Sequence, residues 1–332
     1  MLNKLSINDY VNGVKDGNIA ILGKAITLIE STLPAHQELA EQIIEQCLPF
    51  TGNSIRIGIT GVPGVGKSSF IEKFGVYLAD QHKKKIAVLA IDPTSSISKG
   101  SILGDKTRME KLSVHPNAFI RPSPSSQSLG GVARKTRETI YLCEAAGFDT
   151  IIVETVGVGQ SETAVHSMVD FFLLLMLSGA GDELQGIKRG IMEMADALVI
   201  TKADGQNMER AKLAAMEYSR AMHLLPPHAA GWIPQTSTCS SLTGEGMDKV
   251  WNIIESYRLQ TFTNGWFAEK RKNQSVYWME ETINEQVKAL FFANAEIKKA
   301  YSKLTEDLKA GKITSYKAAQ QLMELFKLSS RT

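Results

Sequence analysis

The residues best suited to chemistry are positions 61–68, which read Gly-Val-Pro-Gly-Val-Gly-Lys-Ser. They fit the phosphate-loop pattern G-x-x-x-x-G-K-[ST], between a strand-like run at 54–60 and a helix-compatible run at 68–81. In such a loop, glycines let backbone N–H groups point at phosphate oxygens, while Lys67 reaches the β- and γ-phosphates. The alternative is an ordinary glycine turn followed by Lys-Ser by chance. However, all four fixed positions of the pattern are matched at the correct spacing. We predict a nucleoside triphosphate site formed by Gly61, Val62, Pro63, Gly64, Val65, Gly66, Lys67, Ser68 and Ser69.

Acidic residues follow two strand-like runs, where they would face this loop. Asp92 ends the run 86–91, and Glu154 ends the run 150–153 and lies three residues before Gly157. An acidic residue followed by such a glycine is typical of Mg²⁺ and γ-phosphate contacts, although a turn-forming Asp-Pro pair explains Asp92 equally well. The polar, glycine-punctuated segment 94–109 contains Asp105 and is expected to act as a switch rather than an idle surface loop.

These patterns give two sets of candidates. The predicted Mg²⁺ residues are Ser68, Asp92 and Glu154, and the predicted catalytic residues are Lys67, Glu154 and Gly157. Gln160 could position the attacking water, but its place three residues beyond Gly157 weakens that role. No other water-positioning residue stands beside Gly157, so we expect slow intrinsic turnover.

Thr201-Lys-Ala-Asp204 closes another strand-like run and indicates which base is bound. The two oxygens of Asp204 can accept from the N1–H and the exocyclic amine of guanine, and adenine offers neither donor. The stem of Lys202 can lie against the base plane. A loop after the last strand, with Ser240, Ser241 and Leu242, is expected to close over the base. The predicted nucleotide is therefore GTP.

Strand-like and helical runs alternate from 54 to 258, which is typical of a three-layer α/β domain with a mostly parallel sheet. Ligands in such sheets lie at the carboxyl ends of the strands, where these motifs fall. The predicted strands are 55–60, 86–91, 118–121, 150–154, 171–177, 197–201 and 232–237, and the clearest helices are 132–146, 186–195, 208–222 and 247–260. The sequence predicts a phosphate-loop domain over 51–261.

Helical patterns flank this domain on both sides. Residues 1–50 read as a helix pair broken near Pro34, and residues 262–332 as three helices without strands. An apolar stripe runs along the first of these three helices through Val276, Met279, Ile283, Val287 and Leu290. We expect an N-terminal helical extension at 1–50 and a C-terminal dimerisation arm at 262–332, unless the stripe packs on its own α/β domain.

The composition argues against several other classes of protein. The 332 residues are 43% hydrophobic and 22% charged with a net charge of +2, which argues against nucleic acid as a partner. The three cysteines, Cys47, Cys143 and Cys239, are far apart, which fits a reducing compartment. The amino terminus lacks a signal-peptide pattern, and no apolar run is long enough to span a membrane. We expect a cytoplasmic protein.

The longer motifs resemble the MeaB/ArgK/MMAA family of GTPases over nearly the whole chain. The phosphate loop alone would not distinguish this family. The most specific segments are 59–68, 103–109, 121–124, 129–131, 154–162 and 179–189, the last reading Gly-Ala-Gly-Asp-Glu-Leu-Gln-Gly-Ile-Lys-Arg. Two residues depart from the family pattern. Thr201 stands where Asn is usual, which weakens guanine selectivity if a hydrogen bond is lost, and Ser178 stands where Pro is common, which makes the next loop less rigid.

The resemblance implies a homodimeric GTPase that acts as a chaperone of an adenosylcobalamin-dependent acyl-CoA mutase. Such a protein gates cofactor loading onto methylmalonyl-CoA mutase or a relative and protects that enzyme. The resemblance also implies that Asp105 is a further Mg²⁺ and catalytic residue. It implies as well that Gln160, Asp182, Gln185 and Lys188 relay the nucleotide state to the mutase. The alternatives are a transport-linked ATPase or kinase, a metal-insertion GTPase and a binding scaffold without turnover. Asp204 argues against the ATPase or kinase. The scattered histidines argue against the metal-insertion GTPase, and the complete phosphate motif argues against the scaffold.

Overall fold

The computed structural model describes residues 5–91, 109–122, 129–155, 161–179, 189–226 and 228–329. It divides into two compact units, one ending at Lys272 and the other beginning at Asn273. In the described residues, no helix is both long enough and apolar enough to cross a membrane.

The chain begins with three helices, where the sequence predicted a pair. They are α1 (Ile7–Lys15), α2 (Ile19–Glu30) and α3 (Pro34–Cys47), and a 3₁₀ turn (Leu48–Phe50) follows. Ser6 and Asp9 form a capping box at the start of α1, and Asn18 caps α2. Gly17, with a φ of 70°, turns the chain between these two helices. The three helices pack on one another and on helix α6 (Leu129–Ala145).

The main unit is built on a seven-stranded sheet with the order β3-β2-β4-β1-β5-β6-β7. Every neighbouring pair of strands is parallel. The strands are β1 (Ile55–Gly61), β2 (Ile86–Ile91), β3 (Ala118–Arg121), β4 (Thr150–Thr155), β5 (Phe171–Met176), β6 (Ala197–Ile200) and β7 (Gln235–Thr238). The central strands β4, β1 and β5 are buried along their whole length, because helices cover both faces. The predicted three-layer α/β fold with helical extensions is confirmed.

The other helices of this unit lie between the strands or follow β7. They are α4 (Lys67–Gln81), α5 (Glu110–Ser113), α6, α7 (Ser161–His166), α8 (Arg189–Met194), α9 (Met208–Met222) and α10 (Met247–Thr263), and α11 (Trp266–Ala293) begins here as well. Of the predicted helix 186–195, the described part is α8, and residues 186–188 lie outside the described residues.

One predicted strand was placed too early. The sequence predicted a strand at 232–237, but β7 begins at Gln235. Pro234 has no N–H to donate to a neighbouring strand. Trp232 is buried instead, and its indole Nε1 donates to the Asp196 carbonyl at 2.8 Å. Its apolar character reflects packing in the core rather than strand structure.

The second unit is helical. It contains the rest of α11, then α12 (Ala295–Lys309) and α13 (Ser315–Ser329), which pack against each other. Asn294 caps α12 by accepting hydrogen bonds from the backbone N–H groups of Glu296 and Ile297. The apolar stripe on α11 is exposed: Val276, Met279, Ile283, Val287 and Leu290 each have a relative exposure between 50% and 66%.

Candidate nucleotide site

The phosphate loop joins the central strand β1 to α4, at the carboxyl end of the sheet. Gly64 and Gly66 have φ angles of 76° and 89°, a region that glycine enters without steric cost. Gly66 is the N-cap of α4, so Lys67 and Ser68 occupy the first turn of that helix. The partial positive charge of the helix start therefore lies beside the loop, as phosphate binding requires.

Lys67 and Ser68 are held by groups on the two neighbouring strands. Nζ of Lys67 donates to the Gly61 carbonyl at 3.0 Å, and Oγ of Ser68 donates to Oε1 of Glu154 at 3.1 Å. Glu154 reaches Ser68 because β4 pairs directly with β1, with Ile59 opposite Glu154. Burial lowers the pKa of Lys67, while the nearby carboxylates of Glu154 and Glu162 act to raise it. The site therefore pairs a partly buried cation with two acidic side chains.

The hydroxyl of Ser68 and the carboxylate of Glu154 suit a magnesium ion. Both are oxygen donors, which Mg²⁺ prefers, and they already lie within 3.1 Å of each other at the phosphate loop. Asp92 and Asp105, the other predicted Mg²⁺ residues, lie outside the described residues.

The predicted base-binding residues gather on the other side of the phosphate loop. A cavity of about 400 Å³ is lined by Val65, Gly66, Ser69, Lys202, Asp204, Ser241 and Leu242. Oδ2 of Asp204 accepts a hydrogen bond from Oγ of Ser240 at 2.5 Å, which fixes the carboxylate at the cavity. The structure thus brings the phosphate loop, the T-K-x-D segment and the last loop around one space.

Thr201 connects the base-binding segment to the phosphate loop. Its Oγ1 donates to the Val65 carbonyl at 2.8 Å and lies 3.3 Å from the Met176 carbonyl. Thr201 is buried, so the Val65 carbonyl has a partner where water cannot reach it. The hydroxyl therefore supplies a structural hydrogen bond between the base-binding segment and the phosphate loop.

Sequence analysis missed two residues of this region. Asn207 donates from Nδ2 to the Lys202 carbonyl at 2.7 Å, and its Oδ1 accepts from Oγ of Ser178 at 2.6 Å. Ser178 is thereby tied to the base-binding segment. Glu162 is the second, and its charge acts on Lys67. The only sequence signal for Glu162 was its place at the end of the motif 154–162.

Several predicted residues cannot be placed in this geometry. Besides Asp92 and Asp105, the catalytic candidate Gly157 and the four signalling candidates Gln160, Asp182, Gln185 and Lys188 lie outside the described residues.

The fold and the site together define a phosphate-loop nucleotide hydrolase with a guanine-type base motif. The chain matches the model of the family described as "Methylmalonyl Co-A mutase-associated GTPase MeaB" over residues 22–296. It is 48% identical over 326 residues to a probable GTPase of Mycobacterium tuberculosis, covering 98% of this chain and 97% of the relative. It is 43% identical over 324 residues to the GTPase ArgK of Escherichia coli, covering 98% of both chains.

A mouse protein and a solved structure are also similar to this chain. The mouse protein named "Methylmalonic aciduria type A homolog, mitochondrial" is 43% identical over 331 residues, covering 97% of this chain and 80% of the relative. The crystal structure of a protein named "LAO/AO transport system kinase" superposes with a TM-score of 0.80 at 36% identity, covering 98% of this chain and 99% of that one. The chain belongs to the MeaB family and is a GTPase. The resemblance drawn from the sequence is confirmed.

Proposed function

We propose that this GTPase hydrolyses GTP to GDP and phosphate with Mg²⁺, as a chaperone that gates adenosylcobalamin loading onto methylmalonyl-CoA mutase or a related acyl-CoA mutase and protects that enzyme. The observation that carries the catalytic part is the contact between Ser68 and Glu154 beside Lys67. The partner is supported by the family description, which names a mutase-associated GTPase.

The described residues have separate roles in the proposed hydrolysis. Lys67 and the N–H groups of the loop stabilise the negative charge that develops on the transferred phosphoryl group. Ser68 and Glu154 would hold Mg²⁺ together with Asp92 and Asp105. When bound, the ion neutralises phosphate charge. Asp204, fixed by Ser240, selects guanine.

The first experiment tests the phosphate loop. Lys67→Ala should remove most GTP hydrolysis, because it deletes the cation at the transferred phosphate. Lys212→Ala is the control, because Lys212 is an exposed cation on α9 that pairs only with Glu209 at 2.8 Å in the described residues. Retained turnover in Lys67→Ala, measured as phosphate release, would refute the assignment.

The second experiment tests the partner. Added methylmalonyl-CoA mutase should raise the hydrolysis rate, because contact with the mutase would complete the catalytic site. Alanine at Gln160, Asp182, Gln185 or Lys188 should reduce this stimulation more than the rate without mutase. Equal rates with and without a cognate mutase would count against the chaperone role.

Dimerisation through the C-terminal helices is part of the proposal. The exposed apolar stripe on α11 is the surface that a second copy would cover. In the full chain, Ile283→Glu combined with Val287→Glu should give a monomer in light scattering. Leu213→Glu, which adds a charge at an equally exposed apolar position on α9, should leave the dimer intact. A dimer in both variants would refute this interface.

The likeness to a protein named as a transport system kinase favours one alternative, a transport-linked ATPase or kinase. Asp204 separates the two functions, because adenine lacks the N1–H and the 2-amino group that this carboxylate would bind on guanine. Competition between GTP and ATP for the site decides between them: preferential displacement by GTP supports the GTPase, and preferential displacement by ATP supports the alternative.

A further inference from the structure

A second buried carboxylate lies beside the phosphate loop and has no assigned role. Glu162, in the first turn of α7, is 3% exposed. Its Oε2 atom is buried and has no hydrogen-bond partner among the residues that the structure describes. Burying an unpaired carboxylate oxygen is costly, so this side chain does not serve the packing of the core.

The packing of α7 on β1 explains why Glu162 lies there. Gly58, in the middle of β1, leaves room for α7, since a Cβ at this position would lie 2.9 Å from Cγ1 of Val165. Glu162 is three residues before Val165 and therefore on the same face of the helix, one turn nearer its start. Because α7 follows β4, its start lies at the carboxyl edge of the sheet, where β1 runs into the phosphate loop.

The charge of Glu162 reaches the phosphate-binding lysine. Lys67 lies in the field of Glu154 and Glu162, and both act to raise its pKa against the effect of burial. Glu154 is engaged by the hydroxyl of Ser68. Glu162 has no such donor on Oε2 within the described part of the chain. Among the described residues, Oε2 of Glu162 therefore has no donor that offsets its charge near the phosphate loop.

We propose that Glu162 is a specificity-determining residue of the nucleotide site, whose fixed negative charge disfavours the third phosphate of GTP relative to GDP. A triphosphate brings more negative charge to the loop than a diphosphate does. Repulsion inside a protein is screened less than in water, so the larger charge is penalised more. The inference rests on the proposed phosphate-binding role of Lys67.

The test compares the affinities of two nucleotides. Dissociation constants for GDP and for a non-hydrolysable GTP analogue, both with Mg²⁺, are measured by calorimetry on the full chain. Glu162→Gln should shift the affinity ratio toward the triphosphate analogue by about three- to tenfold, the size expected for one partly screened charge. Glu162→Asp, which keeps the charge, should restore the wild-type ratio. Glu217→Gln removes one charge from the exposed face of α9 and should change nothing.

Each outcome decides the question. An unchanged ratio in a folded Glu162→Gln variant, or a shift toward GDP, would overturn the inference. If Glu162→Gln does not fold, Glu162→Met gives a second uncharged side chain of similar length and should show the same shift. Unfolding of both, while Glu162→Asp folds, would assign the carboxylate to stability and overturn the inference as well. Unchanged nucleotide affinity in Lys67→Ala would instead break the proposed phosphate site itself.

Discussion

Charged side chains at the two ends of the strands differ in how they are paired. We call the side where the strands end the carboxyl edge and the side where they begin the amino edge. At the carboxyl edge, Lys67 has one hydrogen-bond acceptor in the described residues, the Gly61 carbonyl, and Glu162 has an unpaired oxygen. At the amino edge, charges meet in pairs with two hydrogen bonds each. Arg56 binds both oxygens of Glu144 at 2.9 Å. Arg271 binds both oxygens of Asp170 at 2.7 Å.

The amino edge has further bonds that complete this network. Arg271 also donates to the carbonyls of Gly52 and Ser54 at 2.8 Å, so it ties the start of α11 to the segment before β1. Burial would raise the pKa of Asp170, but Arg271 and Arg56 hold it below its ordinary value. Charged groups that are paired in this way stabilise the fold. The charged groups at the carboxyl edge have fewer partners in the described residues and can therefore interact with a ligand.

The largest expected effect is on the scaffold edge. Arg271→Ala should lower the free energy of unfolding by about 3–5 kcal/mol, because it leaves the buried carboxylate of Asp170 without its cation. Chemical denaturation measures this loss. Arg258→Ala is the control, since Arg258 makes a surface pair with Glu255, and such pairs contribute about 0–1 kcal/mol. The affinity of the folded Arg271→Ala protein for GDP should be unchanged. If the Arg271→Ala protein were as stable as the wild type, the amino-edge ion pairs would not have the stabilising role proposed for them.

The second largest effect is a pH dependence of the stability, which arises from a buried histidine at the amino edge. Burial lowers the pKa of His166 to about 4, helped by the nearby Lys270 and His228 and opposed by the attraction of Asp196. The folded state thus disfavours the protonated ring, whereas the unfolded chain protonates near 6.5. Stability from this group is complete above pH 6.5 and is lost as the pH falls toward 4, by about 3 kcal/mol.

Thermal unfolding between pH 7 and pH 4 tests this expectation. His166→Gln should flatten the profile in that range, because the buried group that must take up a proton is gone. The paired carboxylates Glu144 and Asp170 have pKa values below their ordinary 4.5 and 3.8, so their loss of stability begins only near those values and continues at lower pH. An equally steep profile in His166→Gln would show that another group titrates there.

The sequence predicted the sheet and the gathering of the nucleotide motifs, because both depend on local patterns. Unbroken aliphatic runs indicate strands buried on both faces, and the phosphate loop has fixed spacing. The amino-edge network is different in kind: Arg271 and Ser54 are 217 positions apart, and nothing near either residue indicates the other. Trp232 was misplaced because an apolar residue before a strand reads like part of it. The hydrogen bond of Thr201 to Val65 and the electrostatic contact of Glu162 with Lys67 likewise depend on packing between distant segments.

The smallest expected effect is at the nucleotide edge, where a single hydrogen bond can be removed. Thr201→Val keeps the shape of the side chain but leaves the buried Val65 carbonyl without its donor, at a cost of about 1–2 kcal/mol. Because that carbonyl belongs to the phosphate loop, the affinities for GDP and for a GTP analogue should fall together, by about five- to thirtyfold. The preference for guanine over adenine should persist, since Asp204 keeps its bond from Ser240. Asp204→Ala is the matched comparison and should lose that preference. A loss of guanine preference in Thr201→Val would mean that the hydroxyl contributes to base recognition and does not only hold the loop.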